Sequence, residues 1–472
     1  MDKRIAEILN IPSEDRNTEF KRLGNDIKIV TKITETIAAM ANTDGGRIIL
    51  GIDDPEKTKL KDELRIAGIE ENMNLFDEIG RNITRIKPAL PRIWPPELIN
   101  FCENKTIAII SVPKSKDDFK EIDGKVFERL EKGNKEVKAH DLVKFAYAKG
   151  FTRADEELVD VNFRLLDTEY YSMWKKARNL TDINIEENLF KTGLARTNTS
   201  GILQPTKASV LLFAEYPSDI TTINSEIRVL EYTGKKEKIE GSTINLRSTP
   251  KTFKGPIYKL IKDVQEYVLN LLSVKLDIKD SGFENQYALP ERSVKEAITN
   301  AVIHRDYYLN RHIEIKIYTD RLEVINPGLF TSNITIFNIG KVRAENYRNR
   351  LVVKHLLEFP MPPNLDQNEG VNSMFNEMKE KKLYPPVYYT YPELENSIKL
   401  VLYFENADKK WNELTKAFTG NKYLNNQIAR KAVKVENYEM SRLFKKWTSM
   451  GFLIKIEKSG EKSFRYKLKN QI

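Results

Sequence analysis

The segment Ser13-Glu-Asp-Arg-Asn-Thr-Glu-Phe-Lys21 sets two carboxylates, Glu14 and Glu19, five residues apart where a turn enters a short strand. Beyond a helix ending near Ala41-Asn-Thr-Asp-Gly-Gly46, the apolar run Arg47-Ile-Ile-Leu-Gly-Ile52 delivers Asp53 and Asp54 at its C-terminal end. Three carboxylates converging on one point make a hard-oxygen site suited to Mg²⁺ or Mn²⁺. Such a site lowers the pKa of a bound water and neutralises charge building on a phosphodiester. Spacing alone leaves a plainer reading open, in which these acids are solvated near turns. Gly45-Gly46 between helix and strand is good turn chemistry and reads as structural.

A second pattern lies in Leu289-Pro-Glu-Arg-Ser-Val-Lys-Glu-Ala-Ile-Thr-Asn-Ala-Val-Ile-His-Arg-Asp-Tyr307. Pro290 suits the first helical position, and Val294, Ala297, Ile298, Ala301 and Val302 share one apolar face. Glu296 and Asn300 are i, i+4 neighbours, so a carboxylate can orient a water while the amide one turn later helps hold a phosphate-bound Mg²⁺. On its own an E-x-x-x-N pair is a weak signal, since most such pairs are a solvated helix face. His304-Arg-Asp306 lacks a glycine-rich loop, a strand lysine and an Asp-Phe-Gly, so it reads as packing and capping. No G-x-x-x-x-G-K-[ST] occurs, which excludes a P-loop.

The elements that must position these residues follow from length and charge. With 472 residues, 40% hydrophobic and 31% charged, the chain is long enough for about three domains. One cysteine, Cys102, and four histidines exclude an internal disulfide and disfavour a zinc site. No stretch has the composition of a membrane span and the first residues hold no apolar leader core, so a cytoplasmic protein is expected. The 77 Lys+Arg exceed the 68 Asp+Glu by nine, and residues 411–472, with 14 basic and 5 acidic side chains, hold that whole excess. A tail that basic on a neutral body points to a polyanionic partner.

Four segments emerge in an α/β (α+β) multidomain chain: a mixed 1–150, a connecting α/β region over 151–280, a third over 281–407, and the tail, 411–472. In the second, helix is expected over 159–194 and strands over 209–213 and 226–232. In the third, strands at 313–318 and 321–325 follow the helix from Pro290. In the tail, helices at 424–433 and 437–450, with Asn437 as N-cap, precede two strands, the ingredients of a winged helix. Arg442, Lys445 and Lys446 lie opposite Leu443, Phe444 and Trp447, placed to enter a major groove, and the wing lysines Lys458 and Lys462 to meet phosphates. Protein contact is the alternative use of such a module.

Thr18-Glu-Phe-Lys21, followed by Ile37-Ala-Ala-Met-Ala-Asn-Thr-Asp-Gly-Gly-Arg-Ile-Ile-Leu-Gly-Ile-Asp-Asp54 and by Phe127-Glu-Arg129 with Gly133 to Lys135, resembles the Schlafen/AlbA-like domain over about residues 10–145. Schlafen RNases cleave with two glutamates five apart and an aspartate, which the resemblance places at Glu14, Glu19 and Asp54. Lys21 and Arg129 are the phosphate-contact candidates. Glu296 to Tyr307, the hairpin 313–325, Asn326-Pro-Gly328, Tyr347-Arg-Asn-Arg350 and Asn368-Glu-Gly-Val-Asn-Ser-Met-Phe375 resemble the GHKL-type ATPase domain of RecG-like transcriptional regulators, over about 205–395. This implies ATP and Mg²⁺ in a Bergerat-type α/β sandwich, with Glu296 as base, Asn300 as metal partner, and Gly328 and Gly370 admitting the nucleotide. Asn326 stands where relatives carry an adenine-reading aspartate, with Asp320 as a substitute, and Arg348-Asn-Arg350 stands in the lid.

The sequence thus points to an ATP- and Mg²⁺-binding, nucleotide-responsive DNA-binding regulator, its tail on duplex DNA. The rival is an ATP-licensed, metal-dependent nuclease acting on RNA or DNA in defence against foreign genetic elements. A third option is a scaffold that uses ATP to form a homo-oligomer.

Overall fold

The structure, a computed structural model, describes residues 2–116, 118–180, 184–240, 243–279, 282–331, 333–363, 370–419, 421, 423–456 and 464–469. The chain divides into two compact units. One comprises Met1–Phe151, Ser332–Phe337 and Asp408–Ile472, the other Thr152–Thr331 and Asn338–Ala407.

In the first unit the strands run in the order Thr18–Lys21, Gly46–Leu50, Lys105–Val112, Glu97–Cys102. The first pair is parallel and the rest antiparallel. A parallel neighbour requires a crossover, and the helix Lys28–Ala41 supplies it, burying Val30, Ile33, Ile37, Met40 and Ala41. Both faces of this sheet are covered, which is why residues 47–50 are not alternately polar. Ile48, Leu50, Ala108 and Ile110 pack with the helix on one face. Phe20, Ile49, Ile107 and Ile109 pack with Ile5, Ile8 and Leu9 on the other, where Tyr423 of the tail also lies.

The tail contributes helices Lys409–Phe418, Asn426–Val433 and Asn437–Ser449 and a three-stranded antiparallel sheet in the order Leu424–Asn425, Arg465–Leu468, Leu453–Ile456. Trp411 meets Trp447 edge-on at 5.2 Å and Phe444 stacks on Tyr466 at 3.7 Å. Glu436, not Asn437, precedes the last helix, while Asn425 caps the one before it by accepting from Ile428 N at 2.8 Å.

The second unit is built on a six-stranded mixed sheet, Lys251–Phe253, Ile227–Glu231, Ile313–Ile317, Arg321–Pro327, Ser397–Tyr403, Val387–Tyr389. Helices Ile257–Leu271, Glu291–Ile303 and Gly370–Glu380 pack successively against one another. The strand expected over 209–213 is instead the helix Lys207–Phe213, started by Thr206 accepting from Ser209 N. All seven of its residues are buried, so periodicity could not separate helix from strand. Among the described residues no helix is long and apolar enough to cross a membrane.

Candidate functional sites

The sheet of the first unit brings Glu14, Glu19 and Asp54 together. Strand alternation puts Glu19 and Lys21 on one face, and the 46–50 strand continues past Gly51 to Asp54. Arg65, itself buried, holds the Asp53 carbonyl with Nε at 3.1 Å and Nη2 at 2.9 Å. Glu14, Glu19 and Asp54 are only 6%, 7% and 8% exposed. Glu14 Oε1 accepts from Phe20 N at 3.0 Å. Lys57 Nζ lies 3.1 Å from Glu14 Oε2 and 2.7 Å from Asp54 Oδ2. Lys21 Nζ stands 3.5 Å from Glu14 and pairs with Glu19, whose other oxygen pairs with Arg129.

Burial, reinforced by the charges of Glu19 and Asp54, holds the Glu14 carboxyl above the usual carboxylate range against the pull of Lys21. Asp54 and Glu19 fall below it: burial opposes this, but Lys57 prevails for Asp54, and Lys21 and Arg129 prevail for Glu19. The oxygen donors suit Mg²⁺ or Mn²⁺ by type. As arranged they do not fit one, because the three negative charges are already met by Lys21, Lys57 and Arg129. Among the described residues no three of His, Cys, Asp and Glu stand so as to hold a metal ion.

Arg129 has no exposed surface and also bonds Asn134 Oδ1 at 3.1 Å, so it is Glu19's buried partner rather than the phosphate contact expected of it. Asp53 turns away from the cluster into a cleft of about 480 Å³ with Arg22 and Glu71. Lys57 escaped the sequence reading. Its only local signal is a lysine three residues after an aspartate.

In the second unit Asn300 Nδ2 donates to Glu296 Oε1 at 2.8 Å, one turn apart on the Glu291–Ile303 helix. Burial raises the Glu296 carboxyl above its ordinary range despite that bond. Gly370 passes directly over it: a Cβ there would lie 1.5 Å from Glu296 Oε1, so no other residue fits with this carboxylate in place. Asn368 and Glu369 lie outside the described residues. On the neighbouring strand Asn326 is 7% exposed and its Oδ1 has no hydrogen-bond partner among the described residues. Ser397 Oγ, on the residue paired with Pro327, has none among them either. Asp320 pairs with Arg321 at the opposite end of this strand, about 20 Å away at strand rise, so it cannot substitute for Asn326.

Gly328, at φ +120°, packs on Asp306, whose Cβ would lie 2.9 Å from a Cβ at 328. The opening expected there for a nucleotide is filled by that contact. Arg348 and Asn349 of the run expected as a lid are likewise buried, while Arg350 is exposed. Arg348 pairs with Asp306 at 3.1 Å, Asn349 Nδ2 donates to the carbonyls of Ile303 and Arg305 at 2.9 and 2.7 Å, and Tyr347 stacks on His304. The residues 304–306 and 347–349 form one staple at the helix C-terminus.

On the tail helix Arg442 and Lys445 are exposed and Lys446 is half-buried, opposite buried Leu443, Phe444 and Trp447. Lys458 and Lys462 lie outside the described residues.

Two stretches of the chain match known families. Residues 14–138 match the family described as Schlafen, AlbA_2, and residues 310–402 match the one described as putative ATP-dependent DNA helicase recG C-terminal. The chain is thus an α/β multidomain, nucleic-acid-related protein of the ATPase type, carrying an AlbA_2 domain around the acid cluster and an ATPase-like domain around Asn326. Glu296 and Asn300 precede the second matched stretch. Among solved structures the chain is similar to the DIP2311 protein from Corynebacterium diphtheriae, at 16% identity and TM-score 0.41 over 96% of this chain and 92% of that one. No curated protein matches it.

Proposed function

We propose that this protein is a nucleotide-responsive, DNA-binding regulator whose second unit binds ATP with Mg²⁺. The observation that carries this reading is the buried Oδ1 of Asn326, unpartnered among the described residues, on the strand beside the Glu296–Asn300 pair. A buried acceptor without a donor costs about 1–3 kcal/mol, and the exocyclic amine of adenine is a donor that would remove that cost. Asn300 would turn its amide oxygen to the magnesium ion, and Glu296, with its carboxyl held high by burial, would take the proton of an attacking water. The bound nucleotide supplies the phosphoanhydride. The exposed Arg442 and Lys445 face is the proposed DNA surface of a winged-helix tail, and a nucleotide that favours one arrangement of the chain shifts its affinity there.

Calorimetric titration tests the assignment. Asn300→Ala should weaken Mg²⁺·ATP binding, whereas Glu296→Ala should retain binding and lose hydrolysis. Absence of ATP binding by the wild-type protein would overturn it. A second reading, cleavage of RNA or DNA in the first unit, is favoured by the convergence of Glu14, Glu19 and Asp54 in one buried cluster. Loss of cleavage in Asp54→Asn at an unchanged thermal midpoint would support it.

A further inference from the structure

We propose that the cleft beside Asp53 is a pocket for one unpaired guanine base of a single nucleic-acid strand. This goes beyond both readings above, since it needs neither ATP in the second unit nor cleavage by the acid cluster.

The cleft encloses about 480 Å³, within the range of small-ligand pockets. Its walls come from separate segments of the first unit: Arg22 follows the Thr18–Lys21 strand, Asp53 follows the Gly46–Leu50 strand, Leu60 and Leu64 lie on the loop beyond it, and Lys105 opens the Lys105–Val112 strand. Asp53 is fixed on both sides of its backbone. Its N–H donates to the Arg65 carbonyl at 3.0 Å, and its own carbonyl accepts from the buried Arg65 guanidinium.

The polar groups of the cleft select the ligand. Arg22 is committed to Glu71, with contacts of 2.7, 2.8 and 3.0 Å, and reaches Asp53 Oδ2 only at 3.4 Å. Among the described residues that long bond is the only side-chain hydrogen bond to the Asp53 carboxylate. Lys105 Nζ gives one of its three protons to the Ile66 carbonyl at 2.9 Å. A cationic ligand would meet Arg22 and Lys105, and an anionic one would meet Asp53, Glu70 and Glu71. A neutral ligand with both donors and acceptors suits the mixture. Leu60 is 43% and Leu64 72% exposed, which offers a flat ligand apolar surface to lie on. A nucleobase has such apolar faces and a polar edge. Guanine alone among the bases presents two adjacent N–H donors, N1 and N2, to one carboxylate, with the O6 acceptor beside them for a lysine. Adenine would set its N1 lone pair against the Asp53 carboxylate. In a duplex cytosine occupies that edge of guanine, so the base in the cleft must be unpaired. The cleft thereby differs in its target from the duplex-DNA face proposed for the tail.

The test uses the full chain in EDTA, which withholds divalent ions from the nucleotide site and from any cleavage. Fluorescence anisotropy follows labelled pyrimidine strands carrying guanine, hypoxanthine or adenine at the centre, as RNA and as DNA. Wild type should bind the guanine strand about tenfold more tightly than the adenine strand, with hypoxanthine, which lacks the N2 amine, between them. Asp53→Asn should bind guanine and adenine strands alike. Leu64→Ser, at an exposed position outside the core, should weaken binding of the guanine strand several-fold. Asp62→Asn, which removes an exposed acid from the same loop, and Asn300→Ala should keep the full preference. A chain that fails to bind ATP yet prefers guanine leaves this proposal standing and removes the ATP assignment alone. Equal affinity of wild type for guanine and adenine strands overturns the proposal, as does a preference that survives Asp53→Asn. Displacement of the guanine strand by agmatine as effectively as by guanosine assigns the cleft to an arginine side chain of a protein partner and overturns it too.

Discussion

Asp155→Asn should make the stability of the second unit less sensitive to a rise in pH from acid to neutral. Asp155 has no exposed surface; its Oδ2 accepts from Leu351 N at 2.8 Å and Val352 N at 3.2 Å, and its Oδ1 has no partner among the described residues. Burial raises its pKa from 3.8 to about 7 against those two bonds. The sign follows directly. Below pH 3.8 both folded and unfolded chains hold the proton; between 3.8 and about 7 only the folded chain does, so stability falls as pH rises, and above 7 the loss is complete. At 1.36 kcal/mol per pH unit the interval amounts to about 4 kcal/mol, an order-of-magnitude figure. The amide introduced by the substitution keeps one oxygen for the two N–H donors and never ionises. Urea denaturation at pH 5 and pH 8 should therefore show wild type losing about 3 kcal/mol more than the variant, since about two of the roughly three pH units lie within that range, the difference between the two proteins removing contributions they share. Amide exchange at Leu351 and Val352 should report the same difference locally. Parallel stability curves for the two proteins would refute the argument that Asp155 ionises inside the folded unit.

Asn326→Leu should weaken ATP binding by about 1–3 kcal/mol while leaving the thermal midpoint near wild type, because Oδ1 has no partner among the described residues to lose; titration calorimetry and a melting curve check both halves. Arg442→Ala and Lys445→Ala should each lower the slope of log affinity for duplex DNA against log salt by about one and weaken binding to unrelated sequences alike, since phosphate contacts carry no sequence information.

Local pattern carried some of this molecule and long-range pairing carried the rest. The Glu291–Ile303 helix was legible because Val294, Ala297, Ile298, Ala301 and Val302 repeat at helical spacing. The approach of Glu14, Glu19 and Asp54 was legible only as residue types in order, since spacing does not say whether a turn brings acids together or leaves them in water. The burial of Arg129 was not legible, because its partner Glu19 lies 110 residues away. The same holds for the staple of residues 304–306 with 347–349. Its partners lie more than 40 residues apart, and its polar residue types, Arg348, Asn349 and Asp306, are those that usually mark a surface loop. Lys207–Phe213 misled for a different reason: an apolar run of strand length, buried all round, carries no period to read.

The basic tail shows why counting charge is a weaker guide than locating it. Residues 411–472 hold the whole positive excess of the chain, yet part of it is spent inside the first unit. Arg465 Nη1 donates to the Asn10 carbonyl at 2.9 Å and lies 3.2 Å from its Oδ1, and Lys467 Nζ pairs with Asp15 Oδ2 at 3.2 Å. Alternation along the Arg465–Leu468 strand puts these two on one face, while Tyr466 on the other stacks on Phe444 in the tail's own core. Tyr423 adds an apolar anchor against the Ile5, Ile8 and Phe20 cluster. The outward face of the tail sheet is therefore bound to the domain that carries Glu14, one residue from Asp15. Removing the tail would take away this support together with the exposed Arg442 and Lys445 face, so a truncation would mix loss of a DNA surface with loosening of the Glu14 turn. Single substitutions on the Asn437–Ser449 helix separate the two, because that helix meets the rest of the tail through Met440, Leu443, Phe444 and Trp447 and leaves its basic face in water.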